Sequence, residues 1–90
     1  MLLQDMGCFL KRFAPPDGEY SHNDFGVRTV NMTEDECPNG HAHCQHLLLS
    51  ASETIPVVSG RPLLGQWQSV FFIELDRPRD RQIVIQVQGC

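Results

Sequence analysis

The segment that most constrains the fold is the last quarter of the chain, residues 66–88. In "QWQSVFFIELD", Trp67, Ser69, Phe71, Ile73 and Leu75 alternate with Gln66, Gln68 and Glu74. In "RQIVIQVQG", Ile83, Ile85 and Val87 alternate with Gln82, Gln86 and Gln88. A period of two places successive side chains on opposite faces of a strand. The residues "DRPRD" at 76–80 separate the two runs, which predicts an antiparallel hairpin. Val70 and Phe72 interrupt the polar face, so both faces of this hairpin are expected to be covered. Two strands and one helix layer do not do that, because a lone hairpin needs further strands or a packed helix to be stable. The chain therefore reads as part of a larger fold, or as a subunit that depends on neighbours.

Upstream, Leu2, Met6, Phe9 and Phe13 recur at helical spacing, which predicts an amphipathic helix over residues 1–13. "APPDGE" stops it, since two prolines followed by Asp-Gly break a helix and favour a turn. Residues 18–36 are polar and read as an irregular loop with a short strand at "FGVRTV". A second helix is predicted from Pro38 to Ser52, with proline suited to its first turn. "ETIPVVS" reads as an edge strand, because Pro56 has no amide to donate, and "SGRPLLG" as a turn. Trp67 is expected in the core. The sum is a single domain over 1–90 of α+β class, an antiparallel β-sheet or sandwich with two helices.

Composition removes several function classes. The formal charge is −4, and no basic stripe tracks a phosphate backbone or an anionic membrane, so neither nucleic acid nor membrane is an expected partner. Four of the seven Lys and Arg lie between Arg61 and Arg81, a local concentration despite the acidic total. The longest apolar runs, such as "VFFI", have strand length and do not span a bilayer. The N-terminal residues have an acid and a Gln inside their apolar stretch and no basic leader, unlike a signal peptide. Cysteines 8, 37, 44 and 90 are irregularly spaced, which favours reduced thiols in a cytoplasmic protein over a disulfide framework.

Three of the four histidines fall in "CPNGHAHCQH" at 37–46. On a helix, successive residues turn by about 100°, so His41 and His43 face nearly opposite sides and do not share an ion. His43 and His46, three apart, share a side. No second Cys-x-x-Cys or His-x₃-His follows, so zinc-finger spacing fails. The plain reading leaves His41 and His46 facing solvent, and Cys37 and Cys44 as small packing residues. His43, with Leu47 and Ser50 on its side, points to a core or cleft, where an imidazole needs a partner.

Residues "YSH" at 20–22, "NGHAH" at 39–43, "IPVVSGRPLLGQWQSVFFIELD" at 55–76 and "RQIVIQVQG" at 81–89 resemble the YjbQ-like family, also described as secondary thiamine-phosphate synthases. The ordered set is His22, Asn39, His43, Gly60-Arg61, Gly65-x-Trp67-Gln68, Glu74 and Arg79-x-Arg81. No histidine-bearing "HTSAS"-like strand precedes it, and the family's H-x-x-E-G is here "HNDFG". The resemblance thus implies the C-terminal half to two-thirds of such a domain, an incomplete one. It also implies a homotrimer with sites near subunit contacts, and a histidine-lined pocket for a metal or small anion. The implied reaction joins a thiazole phosphate to a pyrimidine diphosphate.

Displacing pyrophosphate from a benzylic-type carbon calls for cations or amide donors at the leaving phosphates. His22 and His43 are the expected metal ligands or acid/base groups, with a divalent ion, zinc or magnesium, as cofactor. Two imidazoles leave a shell incomplete, so a third group must come from elsewhere. Arg61, Arg79 and Arg81 are the expected clamps for a small phosphorylated molecule, since a guanidinium matches two phosphate oxygens. The competing role for each is a surface ion pair with Glu74, Asp76 or Asp80. Gln68 is placed to reach substrate; Asn39 either does so or caps the second helix. Two other functions stand beside this one: a non-catalytic oligomeric scaffold that lost part of the site, and a small zinc module using Cys37 and Cys44.

Overall fold

The computed structural model describes residues 1–30, 32–34 and 36–89. It contains helix α1 (Leu2–Phe13), a 3-10 turn (Ser21–Asn23), helix α2 (Gly40–His46), and strands β1 (Val57–Val58) and β2 (Arg61–Pro62). Two helices with a small antiparallel sheet make the α+β class expected from the sequence.

Helix α1 forms where the periodicity places it. Asp5 lies in its first turn and Lys11 and Arg12 in its last, each sign matched to the partial charge of that helix end. It ends at Ala14, whose amide still bonds Leu10 O at 3.0 Å, because Pro15 and Pro16 supply no further donors. The chain then reverses through Pro15–Gly18, closed by Gly18 N on Pro15 O at 3.0 Å. Tyr20 Oη donates to the same carbonyl at 2.8 Å. The two helices are tied by Gln45, a buried side chain whose Nε2 donates to Ala14 O at 3.0 Å. That bond satisfies one of the carbonyls that a helix end leaves without an intrahelical donor.

Strands β1 and β2 pair in the register Val57↔Pro62 and Val58↔Arg61. Their two connecting residues, Ser59 and Gly60, both have positive φ, 52° and 76°. Such a turn matches the right-handed twist of its strands. The turn is therefore tighter than "SGRPLLG" suggested: Arg61 and Pro62 already belong to the returning strand. Pro62 needs no amide there, as befits a strand with an open edge.

Four expectations are corrected. Helix α2 is seven residues, Gly40–His46, and not the fifteen of 38–52. Residues 25–30 form a turn, with Arg28 N on Asp24 O at 2.9 Å, in place of a strand. The hairpin of 66–88 carries no ladder among the described residues. Trp67 is 89% exposed and is no core residue.

These last two corrections share a cause. An apolar strand gains stability only when its faces are covered, and a two-stranded hairpin covers neither. Among the described residues the buried hydrophobic side chains are Ala14 and Ala42. Phe71, Phe72, Ile73, Ile83, Ile85 and Val87 stand exposed, as do Leu2, Met6, Phe9 and Phe13 of α1. The radius of gyration is 17.1 Å, against about 12 Å for a compact domain of this length. Part of the order of the C-terminal arms is local. Across the 76–80 turn, both oxygens of Glu74 accept from the Arg81 guanidinium at 2.8 Å, and Asp76 pairs with Arg79.

Candidate functional site

The first turn of α2 is where separated segments of the chain meet. Tyr20 crosses over Gly40 so closely that a β-carbon on Gly40 would lie 2.6 Å from Tyr20 Cβ and 2.8 Å from Cγ. Only glycine lets the 20–23 turn approach this helix start. Asn23 Oδ1 then accepts from Gly40 N at 2.9 Å, so the helix is capped from a distant turn. Asn39 occupies the N-cap position, yet its side chain makes no cap bond. The capping role expected of Asn39 is corrected on that ground.

Freed from capping, the buried Asn39 side chain reaches two ways. Its Oδ1 lies 3.1 Å from His22 Nε2, and its Nδ2 donates to Asp76 Oδ2 at 3.0 Å. Asp76 also accepts from the Cys37 thiol at 3.5 Å and from Arg79. Burial alone would raise the Asp76 carboxyl, but the bonds from Asn39 and Cys37 and the charges of Arg79 and Arg77 outweigh it and hold it below its ordinary value. The same contact acts oppositely on Cys37, whose thiol is raised first by burial and then by the negative charge of Asp76.

His22 is held by its backbone as well as by its ring. Arg28 Nε donates to His22 O at 2.9 Å, while its Nη2 lies 3.4 Å from Glu36 Oε1. The His22 ring meets His43 edge-on, with centroids 4.6 Å apart and planes 71° apart. His43 and His46 line an open groove of about 380 Å³ whose far wall is Phe72–Asp76, with Arg81 and Gln82. Helix arithmetic had put these two histidines on one side, and they share that groove. His41 lies apart from it and is half-buried, not solvent-facing, with a buried Nδ1 that has no hydrogen-bond partner.

The expected site residues thus divide. His22, Asn39 and His43 come together, and Arg79 joins them through Asp76. Arg81 lies on the groove with both oxygens of Glu74 on its guanidinium. That bond holds Glu74 below and Arg81 above their ordinary values. Gln68 is elsewhere: its Oε1 accepts from Gly65 N at 2.7 Å, closing its own turn in a separate apolar groove with Trp67 and Phe71. Arg61 is exposed on β2. The sequence reading gave Asp76 only the part of an arginine's partner. Its sole signal was its place where the alternating strand pattern ends.

Among the described residues, no group of three or more His, Cys, Asp or Glu stands arranged to hold a metal. His22 and His43 offer two imidazoles, and a catalytic zinc takes three protein ligands. A complete shell does not fit the residues present, and Cys37 spends its thiol on Asp76.

The family model described as UPF0047 protein YjbQ-like matches residues 1–90. The chain belongs to the YjbQ-like UPF0047 family. Its relatives include a UPF0047 protein of Methanothermobacter thermautotrophicus, 39% identical over 98% of this chain and 54% of that protein. Another is the UPF0047 protein sll1880 of Synechocystis, 37% identical over 98% and 54%. A third, YugU of Bacillus subtilis, is 39% identical over 57% and 39%. No solved structure matches. The chain spans about half the length of the first two relatives. The narrower expectation, that only a C-terminal portion of the family domain is represented, is not borne out, since the family model matches from residue 1 to residue 90. No helix among the described residues is long and apolar enough to cross a membrane.

Proposed function

We propose that His22 and His43, with Arg81, form one wall of a binding site for a small phosphorylated molecule. The observation that supports this reading is the ring contact of 4.6 Å between two imidazoles that lie 21 positions apart, beside a groove bearing an arginine. Neutral imidazole accepts a proton and imidazolium donates one near neutral pH, so the pair suits proton transfer to a leaving phosphate. Arg81 is preorganised by Glu74, and a phosphate would compete with that carboxylate for the same two N–H groups.

The family resemblance supplies the reaction class: a thiamine-phosphate synthase-type transfer, in which a thiazole phosphate displaces pyrophosphate from an activated pyrimidine. Zinc or magnesium enters this proposal only with a ligand from another copy or from chain beyond these residues, and no step depends on it. The working form in this reading is a cytoplasmic homo-oligomer, a trimer as the family resemblance implies. The test is thiamine phosphate formation by purified protein, together with bound-metal analysis. His43→Ala is expected to abolish turnover and any metal content; unchanged values for both reject the assignment.

The exposed apolar arms favour one second reading, a non-catalytic oligomeric scaffold. Light scattering with the same assay separates the two: a stable oligomer without turnover supports the scaffold.

A further inference from the structure

We propose that Asp76 and Asn39 are positioning residues that lock His22 in its Nε2–H tautomer, leaving Nδ1 as the ring's only lone pair. A carboxylate accepts hydrogen bonds and donates none. Asn39 must therefore turn its NH₂ group, not its oxygen, toward Asp76 Oδ2, 3.0 Å away. The amide is planar, so its oxygen is directed to the other side, where His22 Nε2 lies at 3.1 Å. An oxygen accepts only, and the ring nitrogen facing it must carry the proton. The orientation of one carboxylate is thus transmitted through one amide to the protonation pattern of an imidazole.

The geometry supports the transmission at each link. Asn39 is 9% exposed, so little water competes for its amide. Asp76 is kept from rotating by acceptance on both oxygens, from Cys37 on Oδ1 and from Asn39 and Arg79 on Oδ2. The same bonds keep its carboxyl below the ordinary range, hence ionised at neutral pH. Arg28 fixes the main chain of His22 from behind. A ring nitrogen's role is set by the bond its partner nitrogen makes. In the site proposed above, proton acceptance by neutral His22 then falls to Nδ1 alone. Asn39, which also lines the groove, is accordingly a residue that acts through His22.

The inference deepens the proposed site, but its test needs no substrate, so either can fail while the other stands. The experiment is a long-range ¹H–¹⁵N correlation spectrum of the ¹⁵N-labelled chain, taken on the neutral rings. The His22 ring is expected to show a single tautomer with a pyrrole-type Nε2 and a pyridine-type Nδ1. An Nδ1–H ring in the unaltered protein overturns the proposal. In Asp76→Asn the residue at 76 both donates and accepts, so Asn39 is released to flip and the two tautomers should mix. A ring still wholly Nε2–H in that variant removes Asp76 from the mechanism. The exchanged pair Asn39→Asp with Asp76→Asn again presents an accept-only group to His22. It should restore the single tautomer, which loss of folding or of general packing would not do; persistent mixing there also refutes the proposal.

Discussion

Replacing Asn39 with Ala is the sharpest perturbation of the site, because one side chain joins three parts of the chain. The substitution removes a bond to an ionised acceptor, Asp76, and a second to a neutral ring, His22. Hydrogen bonds to charged groups contribute about 1.5–3 kcal/mol and neutral ones about 0.5–1.5 kcal/mol, so about 2–4.5 kcal/mol of local stability is at stake. No helix-capping loss adds to this, since the side chain makes no cap bond. Global denaturation is a poor measure where the described residues bury so few apolar groups, and opening of α2 is the relevant event. Native-state hydrogen exchange reads it at the Ala42 and His43 amides, both bonded to Asn39 O. Combining Asn39→Ala with Asp76→Ala in a double-mutant cycle isolates the bond between them. A coupling of about 1.5–3 kcal/mol is expected, roughly 10- to 150-fold in protection. The amide of Asp5, bonded to Met1 O in the first turn of α1, serves as the control and should not change. Additive single effects, with coupling under about 0.5 kcal/mol, would refute the claim that the amide bridges His22 and Asp76 away from water.

Two further outcomes follow from the same contacts. Gly40→Ala drives a methyl against the Tyr20 Cβ and Cγ, and overpacking of this kind costs about 1–3 kcal/mol; exchange at the Gly40-to-His43 turn should accelerate, whereas Gly7→Ala, where a β-carbon meets open space, should not destabilise α1. Acidification tests the carboxylates: Asp76 and Glu74 are held below their ordinary values in the fold, so their stabilising contacts are complete above the unfolded pKa, about 4, and are lost as pH falls through the folded values. Exchange protection of α2 should be flat from pH 7 to about 5 and fall below about 4; a loss already present near pH 6 would assign the transition to another group.

The first helix, its proline stop and the polar loop before α2 were legible because each depends on residues close in sequence. Helical periodicity and the missing amides of Pro15 and Pro16 act over a few positions, and the structure follows them. The pairing of His43 with His46 on one side was equally local, a matter of rotation per residue. Strand alternation at 66–88 was also legible as a pattern, but a pattern states what a segment would bury and supplies nothing to bury it against. The exposed Phe71, Phe72 and Ile85 record that difference.

Sequence by itself determined the family, the α+β class and the histidines and arginines of the candidate site, because those are written in short-range periodicity and an ordered motif set. Tertiary structure alone decided how they are used. Asn39 turned from cap to bridge when Asn23 took over the Gly40 amide, and Asp76 became the anchor of the cluster from 37 positions away. Gln68 went to its own turn and not to the groove. A hydrogen bond is a statement about distance and direction in space, and residues separated by dozens of positions acquire neither until the chain has folded.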